Sequence, residues 1–337
     1  MPPGCQFTAL FDSTLRPDRG RSRRRLQTFH LWLAGLFTLL IASSGHGGEI
    51  FQTVCDDAWQ GAQGVRFTGR LTEVRRAAPE GSGRVSALYR TLRMIFTSGE
   101  SGEITWRVAG KQWTAQAEPH GYCDLTITAN LGLASGWHDI ETEPASSTRA
   151  GLLVPAPANP LGLISDIDDT ILVTGVLSTG TLLKNSLTVT PENREAVPGM
   201  ASLYRKILQK NPVPGASAVF YLSASPRQLT DNVRRFLAHA DFPRGVLQLR
   251  ETDRDSEDAP GDHAAYKVRH IERIFAAFPQ LRFYLFGDDA ERDPEIYEKI
   301  RQHHPGQIAG IWIRRLSPSP DRPKFPEQHD VNELLAE

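Results

Sequence analysis

The chain has almost no net charge, few cysteines and no apolar run long enough to cross a bilayer, and each shortage removes a class of protein. The formal charge is −1, from 38 basic and 39 acidic residues. Residues 1–48 hold six arginines and two acids, leaving a net of −5 over the remainder. That balance gives no general attraction to nucleic acid or to an anionic bilayer. Three cysteines rule out a disulfide-rich scaffold, and the separation of Cys55 and Cys123 fits no metal-binding spacing. The apolar stretch Leu31–Ala42 would span about 18 Å as a helix, against about 30 Å of hydrocarbon. No internal repeat or low-complexity tract stands out. What remains is a chain of 337 residues, 40% hydrophobic, with enough apolar material for two domains with cores of their own.

Residues 1–48 read as a signal peptide. Arg21, Arg23, Arg24 and Arg25 precede the apolar stretch, and Ala42, Ser43, Ser44 and Gly45 supply the small residues of a cleavage site. The expectation is an exported, periplasmic protein; the alternative is an uncleaved segment that anchors the chain to the membrane. After export, Cys55 and Cys123 would remain as an even pair, either one disulfide or two buried thiols.

Residues 49–150 form a β-rich accessory domain, read as a small β-sandwich. Val65, Phe67 and Leu71 alternate with polar residues, as do Ile104, Trp106 and Val108, while Val85, Leu88, Leu92 and Ile95 recur at helical spacing. Trp59, Trp106, Trp113 and Trp137 suit core and rim packing better than a lipid- or sugar-binding face. Pro155, Pro157 and Pro160 mark residues 151–160 as a linker. Residues 161–317 then form an α/β domain, and 318–337 a Pro-rich tail that is either a flexible end or a strap along the surface.

The chemistry gathers at strand ends. In Leu161–Val173 an apolar run breaks into Asp166, Asp168 and Asp169, followed by Thr170. Clustered acids at a strand end repel one another, and a bound cation would relieve that repulsion. A second run, Ala218–Leu222, ends in Ser223-Ala224-Ser225-Pro226. Lys267 sits near the start of a helix that runs through Phe278, with His263 just upstream. A third run, Phe283–Phe286, ends in Gly287-Asp288-Asp289, with Asp293 beyond it. Carboxylates after a strand suit magnesium, and distant strand ends meet if the sheet is parallel and doubly wound.

The spacing Asp166-x-Asp168-x-Thr170, followed by Ser223, Lys267 and Gly287-Asp288-Asp289, resembles the four motifs of the haloacid dehalogenase superfamily. The wording around them, Ser165–Ile171, Phe220–Pro226 and Gly287–Tyr297, looks like the actin-patch-type phosphatidate phosphatases and their bacterial relatives, over about Leu161–Leu316. The resemblance implies a haloacid-dehalogenase-like doubly wound parallel sheet. It also implies a magnesium-dependent phosphatase for phosphatidate or a related lipid phosphate. Two residues depart from the family's usual pattern, Arg227 in place of an aromatic and Asp289 in place of a small polar residue.

The roles the resemblance implies are specific. Asp166 is the nucleophile that forms an aspartyl-phosphate, and Asp168 the general acid and base. Ser223 and Lys267 hold the phosphoryl oxygens, with Thr170 and Arg227 as further substrate-side residues. Mg2+ is held by Asp166, the main chain of Asp168, and Asp288, with Asp289 and Asp293 assisting; Asp293 also orients Lys267. The stretch between the first and second motifs, Thr174–Ser217, reads as loop plus helix with no separate cap, so the site is expected to lie open to a bulky lipid phosphate, with peripheral contact to a membrane. Oligomeric state is not legible. Two other readings fit the residues: a phosphatase for soluble or protein-bound phosphate, and an exported binding protein with an inert phosphatase fold.

Overall fold

The computed structural model describes residues 51–74, 99–173, 191–250, 263–316 and 322–335. The signal segment, the helical spacing at 85–95, most of the Thr174–Pro198 loop and the acidic stretch at 251–261 lie outside the described residues.

Six strands make a parallel sheet: β9 (Leu161–Asp166), β10 (Ala218–Pro226), β11 (Val246–Arg250), β12 (Arg282–Asp288), β13 (Ile308–Arg314) and β14 (Gln328–Asp330). Their order is β11-β10-β9-β12-β13-β14, every neighbour parallel. The direction of winding therefore reverses at β9, whose flanks are β10 and β12, and a crevice opens there at the carboxyl ends.

Burial on both faces explains the unbroken apolar runs. Along β9, Leu163 joins the core under α1 (Met200–Leu208) and α2 (Thr230–His239), while Ile164 joins the core under α3 (His263–Ala277) and α4 (Asp293–His303). Val219 and Tyr221 on β10 face the first core, and Phe220 and Leu222 the second. The fold is thus a mixed α/β one, with helices against both faces of the sheet.

The described part of the tail, residues 322–335, is tied to the sheet. Its Gln328–Asp330 extends the sheet beside β13, and α5 (Val331–Leu335) buries Val331 in the first core. Of the two alternatives, a flexible end or a strap along the surface, the described residues favour the second: Gln328 and Val331 tie the tail down, and Gln328 Nε2 donates to the Pro294 carbonyl at 2.7 Å.

The β-rich half is one curled sheet of eight strands rather than two separate sheets. These are β1 (Phe51–Cys55), β2 (Ala58–Gly61), β3 (Gly64–Glu73), β4 (Gly102–Val108), β5 (Lys111–Ala117), β6 (Tyr122–Ile127), β7 (Gly136–Glu143) and β8 (Ala150–Val154). The order is β1-β3-β2-β8-β7-β4-β5, with β6 also paired to β3. Curling brings Phe67 of β3 onto Trp106 of β4 and Trp113 of β5, ring centroids 6.1 and 5.5 Å apart.

Cys55 and Cys123 are free, buried thiols. Both stand opposite Gly69, one on β1 and one on β6, on either side of β3. Two strand spacings put their Cα atoms about 10 Å apart, beyond the roughly 7 Å limit for a disulfide. The disulfide alternative is thereby excluded in this fold, and burial pushes the Cys55 thiol up to about 12.

The expected linker is part of the fold. Ala150–Val154 is strand β8, between β2 and β7, and its two central leucines serve different cores. Leu152 lies in the core of the curled sheet and Leu153 in the core beneath α3 and α4. Trp59 meets Phe220 edge-on at 5.4 Å, and Arg244 lies over Trp137 at 4.1 Å. Gly61 allows the closest approach: a Cβ there would lie 2.6 Å from the Ala277 Cβ, and the Ala62 N–H reaches the Ala277 carbonyl at 2.8 Å. Prolines and small residues suggested a spacer, but the leucines between them weld the two halves into one compact unit. Trp59 and Trp137 are interface residues, as core and rim packing would have them.

Candidate active site

Two strand ends and two helix starts deliver the acids and the lysine to one place. Asp166 is the last residue of β9 and Asp288 the last of β12, neighbours across the crevice. Lys267 lies in the second turn of α3, and Asp293 opens α4. One carboxylate oxygen from each of Asp166, Asp288 and Asp293 lies within 4.8 Å of the others. Lys267 Nζ stands 2.8 Å from Asp166 Oδ1, 2.5 Å from Asp293 Oδ1 and 3.5 Å from Glu291 Oε2.

Burial governs the electrostatics. It pushes Asp166 well above the ordinary carboxylate range, with Lys267 pulling back and Asp293 pushing further. It raises Asp288 to about 7, reinforced by Asp293, and raises Asp293 against the pull of Lys267. Burial alone would lower the lysine, but Asp166 and Asp293 hold it well above its usual range. Three buried carboxylates offering hard oxygens fit a divalent cation, which would favour their charged forms.

The loop after β9 is tightly wound. The Ile167 carbonyl accepts the N–H groups of Thr170, Ile171 and Leu172, and Asp169 takes a left-handed φ of 55°. Arg314 Nη1 braces that turn by donating to the Asp169 carbonyl at 2.6 Å. Asp169 thus serves the turn. Thr170 Oγ1 points at Asp288 Oδ2 from 3.5 Å, a brace between the two strand ends.

Asp168 faces β10. Its Oδ2 accepts from Ser223 Oγ at 3.0 Å and from Ser225 Oγ at 3.2 Å, while the Ser225 N–H donates to Ser223 Oγ at 3.0 Å. Burial raises the Asp168 carboxyl and the Ser223 hydrogen bond moderates the rise. Arg194 attracts it from the short segment that runs back past Leu172.

Two predicted residues are used differently. Arg227 is buried in an ion pair with Asp56 of the curled sheet and lies over Tyr122, 5.4 Å from the ring centroid. Its guanidinium is directed to the β-rich half instead of a phosphoryl group. Asp289 stands outside the carboxylate trio: its Oδ1 accepts the Leu316 N–H at 2.6 Å and its carbonyl accepts Arg322 Nε at 2.8 Å. It holds the loop after β12 against the chain beyond β13. His263 opens α3.

Sequence reasoning missed four residues. Ser225 and Glu291 lie two places beyond Ser223 and Asp289, inside the same motifs. Arg194 lies in the polar stretch after the first motif and Asp56 in the β-rich half, where sequence pattern carries no signal for the site.

Residues 161–315 match the family model described as phosphatidate phosphatase APP1, catalytic domain. This part of the chain is similar to that catalytic domain. The phosphatidate phosphatase APP1 of Saccharomyces cerevisiae is 30% identical over 179 residues, 52% of this chain and 30% of that protein. An uncharacterized protein of Schizosaccharomyces pombe is 26% identical over 157 residues, 46% of this chain and 25% of that one. The chain therefore spans less than a third of the length of these curated relatives. A solved Pnkp1/Rnl/Hen1 complex shares 16% identity over 49% of each chain at a TM-score of 0.33, too distant a likeness to bear on the fold. The APP1 match contains Asp166, Asp168, Ser223, Lys267, Asp288 and Asp293, and leaves the curled sheet outside it.

Proposed function

We propose that the chain hydrolyses a phosphomonoester of the phosphatidate type on a haloacid-dehalogenase-like domain, with Asp166 as nucleophile. The observation that carries this reading is Lys267 beside Asp166 at the carboxyl end of the central strand, within the segment matched by the APP1 family.

Phosphate monoesters resist attack because their negative charge repels nucleophiles, so a site must place the nucleophile and neutralise charge. An Asp166 oxygen attacks phosphorus in line, forming a P–O bond as the ester P–O bond breaks. Asp168 gives its proton to the departing alkoxide; its raised pKa suits it to carry that proton. Water then attacks the aspartyl-phosphate, Asp168 takes the water's proton, and inorganic phosphate leaves Asp166 free. Ser223 and Lys267 hold the equatorial oxygens, where charge persists throughout. Asp293 aims Lys267. Asp166, Asp288 and Asp293 would hold magnesium, whose charge would screen the meeting of carboxylate and phosphate.

With residues 1–48 read as an export signal, the substrate is a lipid phosphate met at a membrane surface outside the cytoplasm. Among the described residues no helix is long and apolar enough to cross a membrane.

The test is phosphate release from phosphatidate in mixed micelles and from a soluble aryl phosphate, with and without magnesium. Asp166→Asn should lower turnover at least about a thousandfold on both. Activity on the aryl phosphate alone would keep the chemistry and remove the lipid. Ordinary turnover by Asp166→Asn would end the mechanism.

A further inference from the structure

The family match begins at residue 161 and leaves the curled sheet outside it. The structure gives it a direct hold on the loops of the site. Asp56 and Asp57 form the turn between β1 and β2, and both are buried. Asp56 pairs with Arg227, the residue that follows β10. Asp57 Oδ1 accepts the Gly151 N–H at 2.9 Å; its Oδ2 accepts Arg234 of α2 at 3.0 Å and the Leu247 N–H of β11 at 3.4 Å. Two adjacent carboxylates thus grip β8, β11, α2 and the end of β10.

What they grip is irregular. β10 runs in register with β11 through Ser223, and then the register shifts so that Pro226 stands opposite Arg250. A bulge of this kind re-aims side chains at the cost of regular pairing, so its shape depends on support from outside the ladder. Ser223 and Ser225, whose hydroxyls both reach Asp168, lie at this irregularity. On its far side stands Arg227, held by the Asp56 carboxylate and the Tyr122 ring. A buried ion pair contributes little net stability compared with apolar residues of the same volume. What this pair does supply is direction, since a planar guanidinium fixed by a carboxylate and a ring face has few orientations open to it.

We propose that Asp56 is a positioning residue: through Arg227 it fixes the Ser223–Pro226 bulge, which makes the curled sheet part of the active-site frame. Only the identity of the reaction rests on the functional reading above; the positioning of the loop is independent of it.

The experiment compares the full-length protein with Asp56→Asn, Asp56→Glu and Arg227→Lys by amide hydrogen exchange and by steady-state kinetics on a soluble aryl phosphate. In Asp56→Asn, peptides covering Ser223–Leu229 should exchange about tenfold faster while those of β12 stay unchanged. kcat should fall on the order of 10- to 100-fold, with KM within about twofold of the parent. Asp56→Glu should recover part of both effects. Unchanged protection at Ser223–Leu229 in a folded Asp56→Asn protein overturns the proposal, as does equal loosening of β12 with kcat per folded molecule intact. If Asp56→Asn does not fold, Arg227→Lys carries the comparison, with a smaller effect in the same peptides expected and none overturning the proposal. A parent protein that turns over no phosphomonoester removes the functional reading, while the exchange data still decide the positioning role.

Discussion

Lys267 Nζ bridges Asp166 and Asp293 at 2.8 and 2.5 Å, and all three side chains are almost wholly buried. A single ammonium group therefore compensates a cluster of acids that a divalent cation could also neutralise, and a bound cation would share its carboxylates with the lysine.

Replacing Lys267 with methionine leaves Asp166 and Asp293 buried without that cation. In chelator the native state should lose about 3–5 kcal/mol, read from urea unfolding. Added magnesium should restore more stability to the variant than to the parent. Equal responses to magnesium would show that the lysine and the ion do not share this site.

Gly287 has no room for a side chain. A Cβ there would lie 2.5 Å from Asp293 Oδ2 and 2.8 Å from Tyr297 Cε2. Gly287→Ala should therefore push Asp293 away and weaken magnesium binding by about tenfold or more, measured by titration calorimetry. Unaltered affinity would mean that Asp293 does not help hold the ion.

His270 is buried with Nδ1 3.1 Å from Gln248 Oε1, and burial, reinforced by Arg273 and Arg269, pushes its pKa down to about 3. The unfolded chain, with the group near 6.5, then binds more protons than the native state. Stability from this residue is complete above that pH and is lost as pH falls toward 3, by about 1.4 kcal/mol per unit. His270→Gln should flatten the acid side of the stability curve. The raised carboxylates of the site act in the opposite sense, so the difference between the two proteins isolates the histidine. Parallel curves would disprove the assignment.

Trp59 joins the curled sheet to Phe220 of β10. Trp59→Ala should destabilise by about 2–4 kcal/mol in one cooperative transition, since the two halves share a core. Two separate transitions by calorimetry would contradict that.

The site was legible because its chemistry sits directly after apolar runs. Asp166 and Asp288 close two adjacent parallel strands and Ser223 ends the regular pairing of a third, and the periodicity that marks a strand also marks its end. The pairing of Lys267 with Asp166 followed from the motif order. Arg227 and Asp289 misled because adjacency in sequence says nothing about direction: one turns to Asp56, the other to the Leu316 N–H. The joint between the halves was hidden for a different reason. Leu152 and Leu153 are two residues within a Pro-rich stretch, and their burial depends on Phe220, Ala277 and Phe67, which are distant in sequence. Composition reports local stiffness; it does not report which long-range surface a short strand will meet.

The ladder position of Gly69, with Cys55 and Cys123 on either side, has a consequence for how the protein matures. Thiols kept two strands apart and pushed to about 12 and about 11 are poor nucleophiles, and among the described residues neither has a second thiol within reach. Cys55 and Cys123 then require no oxidant, and reductant should leave the melting temperature where it was.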